Sequence, residues 1–327
     1  MNRAMPWLLL LLTWLGAGRG GPAAAAEPAG EPPAPKRPLS VKVAAVQCSS
    51  KFGDVEANRA KITGLVERAA AEGAKIIVLP EACIPGYLSQ DLRLNWHVAG
   101  RPIEREFKGV GPDSVAEEVP GPSTRHFCQV AKRLGVYVTV PLVEVARPGP
   151  AAGKGEGANA GAGPAVYYNT VCLVSPRGEV VAHYRKLTPW PRPEKSWASA
   201  GDRGVQVFDT EYGRIGLAIC YDVHTILEKY EPHKIWALLY PIAWVDDGHP
   251  ADWFWHELPR RVARFKHYVI GANWSVDERQ KWFGYGFSEV ISPEGRVVAC
   301  SHSLYGSDVV YATLPTAWAQ RANSQGK

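Results

Sequence analysis

The chain has 327 residues, 46% of them hydrophobic, which suffices for one large domain with a substantial core. Its 37 basic residues stand against 32 acidic ones, a balance too mild for a polyanion-binding surface. Cysteines at 48, 83, 128, 172, 220 and 300 are widely and irregularly spaced, which argues against a zinc knuckle or a small disulfide scaffold.

Residues 1–26 read as a signal peptide: Arg3, an apolar stretch from Trp7 to Leu15, then small residues ending Ala23-Ala24-Ala25-Ala26 before Glu27. The apolar run falls short of the ~20 residues a spanning helix needs. Arg19 and its neighbouring glycines weigh against the alternative of an uncleaved anchor. Cleavage removes Arg3 and Arg19 and no acid, leaving 35 basic against 32 acidic residues. The expectation is an exported protein, periplasmic or secreted, with no stable membrane insertion after cleavage and no nucleic-acid partner. Residues 27–39 are Pro-rich and read as an extended tether. Residues 40–315 read as the folded domain and 316–327 as a C-terminal tail.

Val41 to Gln47 and Ile76 to Pro80 are short apolar runs expected as strands. Between them, Asp54 to Gly73 has the start signal, periodicity and terminal glycine of an amphipathic helix. Pro122 and Ser123 open a second helix that Gly135 ends, leading into a strand from Val136 to Val145. Residues 147–164, rich in Gly, Ala and Pro, read as a mobile surface insertion. Two hairpins follow: Tyr167 to Ser175 with Glu179 to Arg185, and Val205 to Thr210 with Ile215 to Ile219. Trp236 to Trp244 reads as a buried strand and Ala251 to His267 as a helix broken or bent near Pro259. Tyr268 to Trp274, Gly286 to Ile291, Val297 to Cys300 and Val309 to Thr313 complete the strands. The basic cluster Arg260 to His267 spreads around more than one helix face and reads as a solvated surface. Strands mixed with crossover helices point to an α/β sandwich.

Glu81, Lys186 and Cys220 each end an apolar, β-prone run. Strand ends in such a sandwich can aim reactive groups into one pocket. A thiol, a carboxylate and an ammonium together can perform nucleophilic acyl transfer. Cys220 is the candidate nucleophile, Glu81 the base that takes its proton, and Lys186 the cation that favours thiolate and oxyanion together with the Tyr221 backbone N–H. The expectation is hydrolysis of a C–N bond in a small-molecule amide, without metal or cofactor.

Leu79-Pro80-Glu81 with Pro85-Gly86-Tyr87, Val119-Pro120-Gly121-Pro122-Ser123-Thr124, Tyr168-Asn169-Thr170, Tyr184-Arg185-Lys186 and Gly213-Arg214-Ile215-Gly216 running to Ile219-Cys220-Tyr221-Asp222 stand in one order. In that order the chain resembles the nitrilase superfamily of carbon–nitrogen hydrolases, from about Val41 to Leu314. The resemblance implies an αββα sandwich with Glu81, Lys186 and Cys220 as the catalytic set, and a homodimer or larger homo-oligomer. The Lys186 to Glu194 loop is similar to the aliphatic-amidase branch, which implies that Glu194 helps orient substrate and lysine. Glu144, ending the Val136 to Val145 strand, is a competing second acid near the pocket. Leu239-Tyr240-Pro241-Ile242-Ala243-Trp244 and Ile270-Gly271-Ala272-Asn273 resemble the biotinidase and vanin branch, whose members are exported.

Tyr87, Trp96, Trp190, Trp197, Tyr221, Trp244, Trp253 and Trp255 cluster around these motifs, where some could wall a pocket and grip an apolar acyl group. A Cys–His pair using His224 would leave Glu81 and Lys186 without a role. His249, His256 and Glu257 do not form a His-Glu-x-x-His zinc motif. Within the resemblance, a nitrilase or an N-acyltransferase could use the same three residues, although Cys220-Tyr221-Asp222 resembles amidase sequences. The non-enzymatic alternative is an exported binding scaffold that has lost catalysis.

Overall fold

The computed structural model describes residues 37–87, 110–147, 163–191, 194–244, 252–275 and 286–325. Residues 1–26, read above as a signal peptide, residues 27–36 of the expected tether, Trp96, His249 and residues 148–162 of the expected insertion lie outside them.

Strand β1 (Ser40–Gln47) leads through helix α1 (Val55–Ala71) to β2 (Ile76–Val78), and helix α2 (Pro122–Leu134) leads to β3 (Tyr137–Ala146). These three strands run parallel. The antiparallel hairpin of β4 (Val166–Val174) and β5 (Val180–Arg185) extends the sheet on the β3 side, and β12 (Asp308–Pro315) closes it beside β1. The second sheet repeats this plan. Parallel β7 (Arg214–Leu217), β8 (Ala237–Ile242) and β9 (Tyr268–Asn273) are flanked by β6 (Val207–Asp209) on one side and by β10 (Glu289–Ile291) and β11 (Val297–Cys300) on the other.

Local signals place the helices where the sequence expects them. The Asp54 carboxylate caps α1 by accepting the Ala57 N–H at 3.2 Å. Pro122 sits in the first turn of α2, whose Ser123 N–H donates to Glu117 at 2.6 Å, and Gly135 ends the helix at φ +65°. The helix bent near Pro259 is a π turn, Trp253–Glu257, running into α3 (Leu258–Phe265). Residues 317–325, expected within a tail, instead form α4 (Ala317–Gln325), where the Trp318 indole donates to the Glu211 carbonyl at 2.7 Å.

Both faces of the first sheet are covered, as its central apolar strands require. Ala44, Val46, Ile77, Val140 and Leu142 pack outward against Ile62 and Val66 of α1 and Phe127 and Val130 of α2. Val43, Ala45, Ile76, Val78 and Val171 face inward and join Leu217, Leu239 and Ile270 of the second sheet. Phe254, Leu258 and Val262 belong to that same cluster. The result is the αββα sandwich. At the carboxyl ends of the parallel strands the two sheets are stitched together. The Glu81 N–H donates to the Ile242 carbonyl at 3.3 Å, and the Ser275 N–H to the Cys48 carbonyl at 3.1 Å. In open α/β sheets that end is where ligands bind. Among the described residues no helix is long and apolar enough to cross a membrane.

Candidate active site

The stitched end gathers side chains from both sheets. Glu81 follows β2, Lys186 follows β5, and Cys220 begins a 3-10 turn, Cys220–His224, just beyond β7. Glu81 and Lys186 are fully buried, and Cys220 is 9% exposed. Two non-glycine residues here take positive φ: Ala82 at +45° and Cys220 at +42°. Such left-handed backbone costs roughly 1–3 kcal/mol per residue and is concentrated at functional sites. Here it turns the chain sharply at the ends of β2 and β7.

The Lys186 ammonium donates to Glu81 Oε1 at 2.7 Å and to Glu194 Oε2 at 2.5 Å. Asn169 Nδ2 donates to Glu81 Oε1 at 2.7 Å and also to Glu194 Oε1. The Trp190 N–H adds a third contact to Glu194, at 2.6 Å on Oε2. Glu194 is therefore fully buried within the cluster. The Ala243 N–H, just beyond β8, donates to Glu81 Oε2 at 2.8 Å and also reaches the Cys220 thiol.

Burial pushes the Glu81 carboxyl up to about 7, the Lys186 charge opposing and the Glu194 charge adding to the shift. Burial alone would lower Lys186, but the carboxylates of Glu194 and Glu81 raise it and keep it an ammonium. The Cys220 thiol is pushed well above its ordinary value, first by burial and then by the Glu81 charge, with Lys186 acting the other way. At neutral pH Cys220 therefore rests as a thiol, and a carboxyl with a pKa near neutrality, as at Glu81, is suited to act as a base.

Asp222 holds the Cys220 turn in place. Its Oδ2 accepts the Tyr184 hydroxyl at 2.6 Å and the Ile219 N–H at 3.1 Å, while Oδ1 accepts the Thr188 N–H at 2.8 Å. It thereby ties the Cys220 turn to the loop carrying Lys186. The Tyr240 hydroxyl donates to the Cys220 carbonyl at 2.8 Å.

Glu144 is not brought to this cluster. It lies on the helix-facing side of the first sheet, because residues 140, 142 and 144 alternate away from the sandwich interior. There it accepts from Arg185 Nη2 at 2.5 Å, from the Thr170 hydroxyl at 2.7 Å and meets His183 Nε2 at 2.8 Å. Burial works against its charge, yet His183, Arg185 and Thr170 hold it down to about 2. The sequence placed it at a strand end but could not say which face it took. Asn169, Ala243 and Asp222 went unassigned there. A buried asparagine amid the β-branched residues of β4 was the available signal for the first.

A cavity of about 260 Å³ opens over the cysteine, lined by Trp190, Cys220, Tyr221, His224, Ala243 and Trp244. The His224 ring lies 5.1 Å from Tyr221 and 4.7 Å from Trp253. Burial, with Arg261 nearby, pushes its pKa down to about 4, so it is a weak base. Among the described residues no group of three or more His, Cys, Asp or Glu side chains is arranged to hold a metal ion.

Residues 42–323 match the carbon–nitrogen hydrolase family. An omega-amidase of Danio rerio is 28% identical over 266 residues, 79% of this chain and 82% of that one. An omega-amidase of Homo sapiens is 29% identical over 252 residues, covering 74% and 78%. An aliphatic nitrilase of Sinorhizobium fredii is 27% identical over 292 residues, covering 84% and 86%. Among solved structures, an amidase from Nesterenkonia sp. is similar with a TM-score of 0.65 at 20% identity, covering 88% of this chain and 95% of that one. A Saccharomyces cerevisiae protein of branch 10 of the nitrilase superfamily is similar with a TM-score of 0.63 at 23% identity, covering 88% and 94%. These two likenesses speak to the fold alone.

Proposed function

This chain belongs to the carbon–nitrogen hydrolases of the nitrilase superfamily, and on that premise we propose that it hydrolyses linear amides through a thioester on Cys220. Glu81 takes the thiol proton as sulfur attacks the amide carbon, forming the C–S bond. The Lys186 ammonium and the Tyr221 backbone N–H receive the charge that develops on oxygen, a contribution worth about 3–4 kcal/mol per donor in comparable sites. The C–N bond then breaks as Glu81 returns its proton to the departing amine. Water, deprotonated by Glu81, attacks the thioester and releases the acid, and the proton returns to sulfur.

The observation that carries this reading is the buried cluster in which the Lys186 ammonium bonds Glu81 at 2.7 Å and Glu194 at 2.5 Å, at the same end of the sheets where the cavity opens over Cys220. Amides are favoured over nitriles by Cys220-Tyr221-Asp222 and by the omega-amidases among the relatives. In one Nesterenkonia amidase variant the active-site cysteine carries the acetamide moiety of fluoroacetamide, which supports a cysteine nucleophile in this fold. Export is part of the same proposal and is supported by Arg3, the apolar run to Leu15 and the small residues before Glu27. Cell fractionation with N-terminal sequencing tests it, and a protein retained in the cytoplasm with Met1 intact would refute it.

Intact-protein mass spectrometry after brief mixing with primary amides, secondary amides and nitriles tests the chemistry. An acyl adduct on Cys220, with amine release abolished in Cys220→Ala, is expected. Turnover persisting in Cys220→Ala would sink the thioester route.

A further inference from the structure

An enzyme that works through a thioester holds its acyl group through both half-reactions, whereas the amine leaves after the first. On the thioester reading above, the wall around Cys220 is therefore chiefly a wall for the acyl group. Four of its lining residues, Trp190, Tyr221, His224 and Trp244, carry flat rings. Trp244 stacks on Trp253 with centroids 4.4 Å apart and planes at 11°. Phe254 meets Trp244 edge-on at 6.2 Å, and His224 packs against both indoles, 4.7 Å from Trp253 and 6.1 Å from Trp244. Trp253 and Phe254 belong to the π turn, a rare helical irregularity that recurs at functional sites. Rings locked by one another in this way present a pre-formed flat surface, which costs a ligand little ordering.

The charge of the wall narrows the ligand further. Lys186 is already held between Glu81 and Glu194, and His224 is kept neutral by burial and by Arg261. No described lining residue carries a positive charge, and the Arg261 guanidinium, 5.6 Å from the Trp253 ring, is not among them, so a carboxylate on the acyl group would find no cation among the described lining residues. The volume of about 260 Å³ lies just under the roughly 300–1,000 Å³ usual for small-molecule sites and suits one ring.

We propose that the acyl group of the substrate is uncharged and flat, an aroyl or arylalkanoyl group of a single ring seated against Trp244, and that Trp244 and His224 determine this specificity. Titration calorimetry on the full-length Cys220→Ala protein, which binds without turning over, tests it with benzamide, cyclohexanecarboxamide and succinamate. Benzamide is expected to bind about 10-fold more tightly than either, the factor that one or two aromatic pairings supply. Adding Trp244→Leu should reduce that preference to about two-fold, while Trp244→Phe, which keeps a ring, should retain most of it. Equal binding of the saturated ring or the carboxylate, no binding of any of the three, or a preference surviving Trp244→Leu would overturn the proposal. Failure of the thioester reading shows differently: benzamide would bind, yet the wild-type protein would release benzoate with no adduct on Cys220.

Discussion

Replacing Glu194 by Gln tests whether this carboxylate belongs to the catalytic cluster or is merely a buried member of a loop. Its two oxygens accept from Lys186, Trp190 and Asn169. Gln keeps one acceptor and turns an NH₂ toward donors, so at least one charge-assisted bond of about 1.5–3 kcal/mol is lost and a buried donor is left unpaired. A stability loss of about 2–4 kcal/mol is expected from urea unfolding. If the Lys186 ammonium moves off the oxyanion position, kcat should fall about 10²–10³-fold. The decisive readout is the pH profile of kcat/KM. The Glu194 charge helps to raise Glu81, so removing it lowers the Glu81 pKa and moves the acid limb to lower pH even as the amplitude falls. An acid limb that stays in place or moves upward would refute the coupling, whatever happened to the rate.

For the wild-type protein, kcat/KM should rise with pH through about 7, because burial pushes Glu81 there and the base must be ionised to act; a limb near the ordinary carboxylate range would contradict the geometry. Glu144→Gln should cost about 2–4 kcal/mol by breaking the buried contact to Arg185, while kcat and KM for one amide change by less than about threefold. A selective rise in KM would make Glu144 a substrate contact. The Glu144 pKa is depressed to about 2, so its contribution is present at neutral pH and is lost as pH falls below the ordinary carboxylate range. Glu289 behaves oppositely: it is fully buried, neither oxygen has a partner, and burial raises its carboxyl well above the usual value. Its raised pKa favours the fold at low pH, and that advantage disappears as pH rises through the folded-state pKa. As pH rises above the ordinary carboxylate range, the wild-type unfolding free energy from urea titration should fall more steeply than that of Glu289→Gln, by up to about 1.4 kcal/mol per pH unit while the group titrates; parallel curves would disprove it.

The strand and helix order was legible from residue order alone, because apolar runs, caps and turn residues act locally. Asp54, Gly73, Pro122, Gly135 and the turn at Ser175 to Gly178 mark ends within a few residues of where the elements stop. Candidate chemistry was legible for a similar reason. Glu81, Lys186 and Cys220 are reactive side chains ending apolar runs, an arrangement that core packing alone would not call for. Faces and distances were not legible. Glu144 and Glu194 are both acids near strand ends or loops, yet the pleat sends one to the helix layer, while Lys186, Asn169 and Trp190 bury the other in the cluster. The Ala243 amide matters because β8 ends opposite β2 in the other sheet, a relation set by how two sheets stack. The residues by themselves determined which groups could react. The stacking of the sheets decided which of them share a pocket, because burial and neighbouring charge, the causes that move Glu81 toward neutrality, exist only once residues 81, 186, 194 and 220 are packed together.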